Sequence, residues 1–170
     1  PDDALILIDT SNLGPRVSRR HGQWSRLNVA HAQIATALAQ RLGGNGSDLA
    51  FISPFAPQAK ILGSLAGESI RASTVHRYQG SEAGIVVFDA VDSSQSVGRL
   101  HPWFADGGLG SDGARLVNVA ASRAKDQLVL LADMSRIHRG RQDVDAIARF
   151  LRQMERQATS YQWQAAVSGT

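Results

Sequence analysis

The 170-residue sequence contains no cysteine, which excludes disulfides and thiolate metal sites. Its core must hold without covalent staples, as a chain of one-domain length can. No apolar run is long enough to span a bilayer, and the sequence opens with Pro1-Asp2-Asp3 rather than with a basic, apolar stretch of the leader type. A cytoplasmic protein without membrane contact is expected, and the missing initiator Met implies a piece of a longer polypeptide. Lysine is scarce: of 18 basic residues only Lys60 and Lys125 are Lys, and the others are Arg. Arginine suits multi-donor contact with phosphate, but GC-rich coding produces the same bias, so the cluster Arg16, Arg19, Arg20 and Arg26 is a weak sign of nucleic acid. Also absent is any G-x-x-x-x-G-K-[ST], so nothing here can cradle a β-phosphate.

What is present is an alternation of apolar runs with segments of helical period, the pattern of an α/β fold whose mostly parallel sheet is covered by helices. Strands are expected at 4–10, 48–54, 69–75, 84–91 and 127–133. Helices are expected at 27–42, 56–66, 115–125 and 142–158. In the first helix Leu27, Ala30, Ile34, Ala37, Leu38 and Leu42 share a face, and Gly43-Gly44-Asn45-Gly46 ends it. The stretch 92–114, rich in Gly, Ser and Asp with Pro102, Trp103 and Phe104, reads as a long loop. From 159 the chain is polar and small, and a frayed tail over 159–170 is expected behind one domain at 1–158.

Three polar segments lie at or beyond strand ends: SPFAPQ (53–58), TVHRYQGSE (74–82) and NVAASRAK (118–125). Ligands of open α/β sheets bind at the carboxyl ends of strands, so convergence of the three on one edge is expected. Gly80 lets the backbone turn or approach a ligand closely. The residues around it need another explanation.

In order and content these segments resemble the motifs of the second RecA-like domain of superfamily 1 helicases, in the branch of the nonsense-mediated-decay and RecD-type helicases. Ser53, Pro54, Phe55 and Gln58 match one motif. Thr74, Val75, His76, Gln79, Gly80 and Glu82 match the next, and Asn118, Val119, Ala120, Ser122, Arg123, Ala124 and Lys125 the last. The resemblance implies a three-layer RecA-like domain with its sheet flanked by helices, and a motor that spends ATP with Mg²⁺. Arg123 would be an arginine finger, and Gln79, Gly80, Glu82 and Lys125 would face ATP, with Glu82 on the ribose. Ser53, Pro54, Phe55, Thr74 and His76 would face single-stranded DNA or RNA. The P-loop and the Mg²⁺-holding carboxylates would belong to an N-terminal RecA-like domain of the same polypeptide, so this chain alone is expected not to hydrolyse ATP.

Plainer roles stand beside these. Arg123 at a helix C-terminus is favoured there in any case, Phe55 and Tyr78 are as well suited to a core as to base stacking, and Gln58 suits orienting backbone. The family pattern S-x-x-N-x-x-E-A is kept at Ser25, Asn28 and Ala32. Val29 stands where a phosphate-contacting Arg is common and His31 where Glu is, unless Arg26 or an arginine from 16–20 substitutes. Two other classes compete. Asp9 at a strand end, with Asp89, Asp92 and Asp133, would suit a PIN-like nuclease holding Mg²⁺, and a degenerate RecA-like module would bind nucleic acid without catalysis. GLGSDG (108–113) formally fits a dinucleotide fingerprint but lacks the apolar strand before it, and reads as a loop.

Overall fold

A computed structural model describes residues 3–19, 25–42, 48–78, 80–95, 112–139 and 146–168. Four central strands are short apolar runs, rich in Leu, Ile, Val and Phe, that suit burial on both faces: β1 (Leu5–Asp9), β4 (Leu49–Ser53), β6 (Ala83–Asp89) and β7 (Ala124–Ala132), while β5 (Arg71–Thr74) is a more exposed edge strand beside β4. With β8 (Thr159–Gln162) they form one six-stranded sheet in the order β5-β4-β6-β7-β1-β8, every neighbouring pair parallel. A separate antiparallel pair, β2 (Ser18–Arg19) with β3 (Arg26–Leu27), precedes the first helix.

Alternate residues of each strand serve two separate cores. Leu7, Ile52, Val86, Phe88 and Leu130 face a cluster containing Phe55, Val75, Tyr78, Leu116, Ile137 and Leu151. Ile8, Phe51, Val87, Val129 and Leu131 face Ile34, Leu38 and Leu62. The second core is covered by α1 (Val29–Arg41) and α2 (Ala56–Ala66), and the first by α3 (Asp112–Arg123), α4 (Met134–Arg139) and α5 (Ala146–Gln157). This is the three-layer α/β arrangement expected of the fold class. Among the described residues no helix is long and apolar enough to cross a membrane.

Three differences from the expected elements have physical causes. The chain does not fray at 159: Thr159–Gln162 pairs with Ile6–Asp9 as a polar edge strand, and α6 (Trp163–Ser168) follows, with Arg41 of α1 donating to the Ala165 carbonyl. Next, α1 buries His31, Ala32, Ile34, Ala35, Leu38 and Ala39 rather than the face through Ala30 and Ala37, because His31 has polar partners in the core. Finally, α3 runs into β7 without a loop, so Ala124 and Lys125 belong to the strand. Of the expected loop at 92–114, residues 96–111 lie outside the described part, as does the cap at 43–46; Asp112 and Gly113 open α3.

Candidate functional site

A parallel sheet explains the polar stretch between β5 and β6. β5 ends at Thr74 beside Ser53 on the carboxyl edge, whereas β6 starts at Ala83 beside Ala124 on the amino edge, with β4 between them. Residues 75–82 must therefore travel back along the sheet, a connection that antiparallel strands do not need. The path opens with a 3₁₀ turn, Val75–Tyr78. Residues three apart eclipse in such a turn, and here Val75 and Tyr78 are both buried in the core that holds Phe55, Leu116 and Ala120, while His76 and Arg77 are exposed. Gly80 then takes φ +84°, and a Cβ there would meet nothing within 4 Å. The backbone angle, not crowding, selects glycine in this conformation. Gln79 lies outside the described residues.

The expected convergence on one carboxyl edge is thus corrected: the segments divide between both edges, and 75–82 joins them. On the amino edge Lys125 Nζ lies 3.3 Å from Glu82 Oε2, with both side chains more than half exposed. Arg123 is the last residue of α3, immediately before Ala124, the register partner of Ala83. Its side chain is half-buried, and its Nε is buried with no hydrogen-bond partner among the described residues. Burial pushes the Tyr78 phenol above its ordinary range; the Arg71 guanidinium opposes the shift, Asp48 adds to it, and Arg123 opposes it. Arg123 therefore sits near enough to the crossover for its charge to be felt at Tyr78. Arg71 lies over the Tyr78 ring, 5.6 Å from its centroid, and its Nη2 donates to the Glu82 carbonyl at 3.0 Å.

On the carboxyl edge the residues leading into α2 are buried. Ser53 is fully buried and its Oγ accepts the Phe55 N–H at 3.4 Å; Pro54 and Phe55 are buried too. In the described conformation these three residues pack at the start of α2. Tyr78 is likewise core, at 3% exposure. Thr74, half-buried, and His76, exposed, remain at the surface.

Behind this edge lies a buried network that the motif reading overlooked. His31 Nδ1 is 2.8 Å from Asp89 Oδ1, and its Nε2 is 2.8 Å from Thr10 Oγ1. Gln58 Nε2 donates to Asp89 Oδ2 at 2.6 Å and to the Asn28 carbonyl at 2.9 Å, while its Oε1 accepts the Asn28 N–H at 2.7 Å. Gln58 thus orients the backbone at Asn28, as its plainer role implied. Asn28 caps α1 by accepting from the His31 N–H, and donates to the carbonyl of Val91. Val91 has φ 65°, rare for a β-branched residue. Its N–H bonds Asp89, so that angle is held from both sides. The signal available in the sequence was a histidine among the apolar positions of α1.

The four carboxylates proposed for Mg²⁺ go to separate partners. Asp9 accepts from the N–H of Ser11 and of Met134, Asp89 from His31, Gln58 and Val91, and Asp133 from Ser94 N–H and the Ser135 hydroxyl. Asp92 pairs with Arg26 and Arg136. Among the described residues no group of three or more His, Asp and Glu is placed to hold a metal. The buried Arg26–Asp92 pair also makes Arg26 unavailable as a substitute for the arginine missing at Val29.

Residues 1–135 match the model of a family described as an AAA domain. The chain is similar to the DNA replication ATP-dependent helicase/nuclease DNA2 of human, 34% identical over 140 residues, covering 77% of this chain and 12% of that protein. It is also similar to the bovine protein, 33% over 139 residues (77% and 12%), and to the mouse protein, 29% over 149 residues (82% and 13%). The chain thus spans only a small fraction of these relatives. With its parallel sheet and its motif segments joined across two edges, the chain belongs to the AAA-domain family, in the superfamily 1 helicase type.

Proposed function

We propose that this chain is the C-terminal motor lobe of an ATP-dependent superfamily 1 helicase, of the branch that holds the nonsense-mediated-decay and RecD-type enzymes. It would meet ATP along its amino edge and a single strand of DNA or RNA near Thr74 and His76. The names of the relatives favour DNA. The observation that carries the reading is the placement of Glu82, Arg123 and Lys125 side by side at the starts of β6 and β7, linked to Thr74 by the single crossover 75–82.

This edge fits a triphosphate as half of a site. Arg123 and Lys125 supply cations, Gly80 leaves its surroundings open, and the Glu82 carboxylate is a hydrogen-bond acceptor for a ribose hydroxyl. Hydrolysis of the bound nucleotide supplies the free energy of the cycle. The P-loop and the Mg²⁺ ligands would come from the N-terminal RecA-like domain of the same polypeptide. When that lobe closes, the Arg123 guanidinium would neutralise charge that develops on the transferred phosphoryl group, a role worth ~10³ to 10⁵ in rate in other nucleotide hydrolases. Because 75–82 ends at both edges, closing around nucleotide would shift the residues that face the strand.

In the full-length protein, Arg123→Ala should lower kcat for ATP by about 10³-fold while affinity for a single strand stays near that of the unchanged protein. Equal loss of both would contradict the assignment. Replacing Thr74 and His76 together should weaken strand binding or uncouple it from hydrolysis.

A further inference from the structure

The family pattern does not single out Arg71, yet it makes two directed contacts with the crossover. It is the first residue of β5, so it stands on the amino edge, at the opposite end of the strand from Thr74. Its guanidinium covers the Tyr78 ring, and its Nη2 holds the Glu82 carbonyl at 3.0 Å. Both contacts fall on 75–82, one on the opening turn before the left-handed Gly80 and one after it, where the crossover reaches the amino edge. The fold alone would be content with Tyr78 in the core. A second anchor on a main-chain carbonyl fixes where the next groups point, namely the Glu82 carboxylate and its partner Lys125.

We propose that Arg71 is a positioning residue for nucleotide binding, fixing the end of the crossover so that the Glu82 carboxylate meets the ribose. This rests on the helicase reading of the amino edge. The guanidinium is suited to the task because its planar fork stacks and donates at once, which an ammonium does less well. A contact on the carbonyl of Glu82 also leaves that residue's carboxylate free for other partners.

The test uses the full-length protein and four variants: Arg71→Ala, Arg71→Lys, Glu82→Gln and the double Arg71→Ala/Glu82→Gln. Glu82→Gln removes the carboxylate but keeps the carbonyl that Arg71 holds. Dissociation constants for a non-hydrolysable ATP analogue are measured by equilibrium titration, and amide hydrogen exchange across 75–82 is followed without nucleotide.

Arg71→Ala and Glu82→Gln should each weaken the analogue by about 10-fold, the scale of one charge-assisted hydrogen bond, and the double variant should be no weaker than either single one. Arg71→Ala should speed exchange in the crossover, Glu82→Gln should not, and Arg71→Lys should recover part of both effects. If Arg71→Ala binds the analogue normally while Glu82→Gln does not, the inference fails and the helicase reading stands. Single effects that multiply in the double variant also overturn it, since Arg71 would then act independently of Glu82. Normal binding by Glu82→Gln overturns both the inference and the ribose contact on which it depends. Should Arg71→Ala fail to fold, Arg71→Lys decides: unchanged exchange together with unchanged affinity overturns the proposal.

Discussion

His31 Nδ1 and Asp89 Oδ1 lie 2.8 Å apart in a pair with no solvent exposure, joining α1 to the carboxyl end of β6. A buried carboxyl group in such a place is tolerable only because His31, Gln58 and the Val91 N–H all hydrogen-bond to it. His31→Leu would leave Asp89 short of one donor and Thr10 without its partner. Breaking a buried pair from one side costs about 3–5 kcal/mol, and the two donors that remain place this case near the lower end. Urea denaturation should show the loss as a lower midpoint; a change under about 1 kcal/mol would mean that the pair contributes little beyond filling space.

Tyr78 presents the opposite situation, a hydroxyl buried without a partner among the described residues. Tyr78→Phe removes that unmet group and keeps the ring under Arg71. Stability should be unchanged or higher by up to about 1 kcal/mol, and a clear loss would reveal a partner for the hydroxyl. The raised phenol pKa adds a pH signature. A group whose folded pKa is raised contributes stability below its unfolded value that is lost as pH climbs through the folded one. The unchanged protein should therefore weaken in alkali more steeply than Tyr78→Phe.

Much of the sheet was legible because most of its strands are short apolar runs ended by polar residues: β1, β4 and β7 begin within the expected ranges or a few residues from them, and β5 and α2 fall where expected. β8 was not, since Thr159–Gln162 is an edge strand of polar residues whose partner, β1, lies at the other end of the chain. The motif residues were legible as a set, but their division between two edges was not. Strand direction decides which end of β6 meets which end of β5, and no local pattern states it. Arg71 escaped for a related reason, because its meaning lies in a carbonyl at the end of the crossover, just before a strand that is not its neighbour.

Asp133 makes acid the second pH of interest. Burial pushes its carboxyl up, but hydrogen bonds from the Ser135 hydroxyl, the Ser94 and Arg136 N–H groups and the Ser94 side chain together outweigh it, and the pKa lies below the ordinary 3.8. A depressed carboxyl contributes stability in full above its unfolded pKa and loses it as pH falls through the folded one. Asp133→Asn places an amide among these donors and should lower the denaturation midpoint most near neutral pH. The gap from the unchanged protein should narrow once the pH drops below 3.8. A gap independent of pH would show that charge at this position is irrelevant.

Gly80 separates two explanations of the crossover that coincide in sequence. At φ +84° with open space around the absent Cβ, the conformation alone accounts for glycine, and Gly80→Ala should cost roughly 1–2 kcal/mol from the left-handed backbone. Gly80→Asn should cost less, because asparagine visits that region more readily. If this angle is the whole requirement, Asn should restore both the thermal midpoint and the affinity for ATP in the full-length protein. If the bare backbone must also approach a phosphate from the neighbouring lobe, both variants should bind ATP more weakly, and Asn should rescue stability without rescuing binding. The half-site reading of the amino edge predicts the second outcome, and it is the one in which stability and affinity part company.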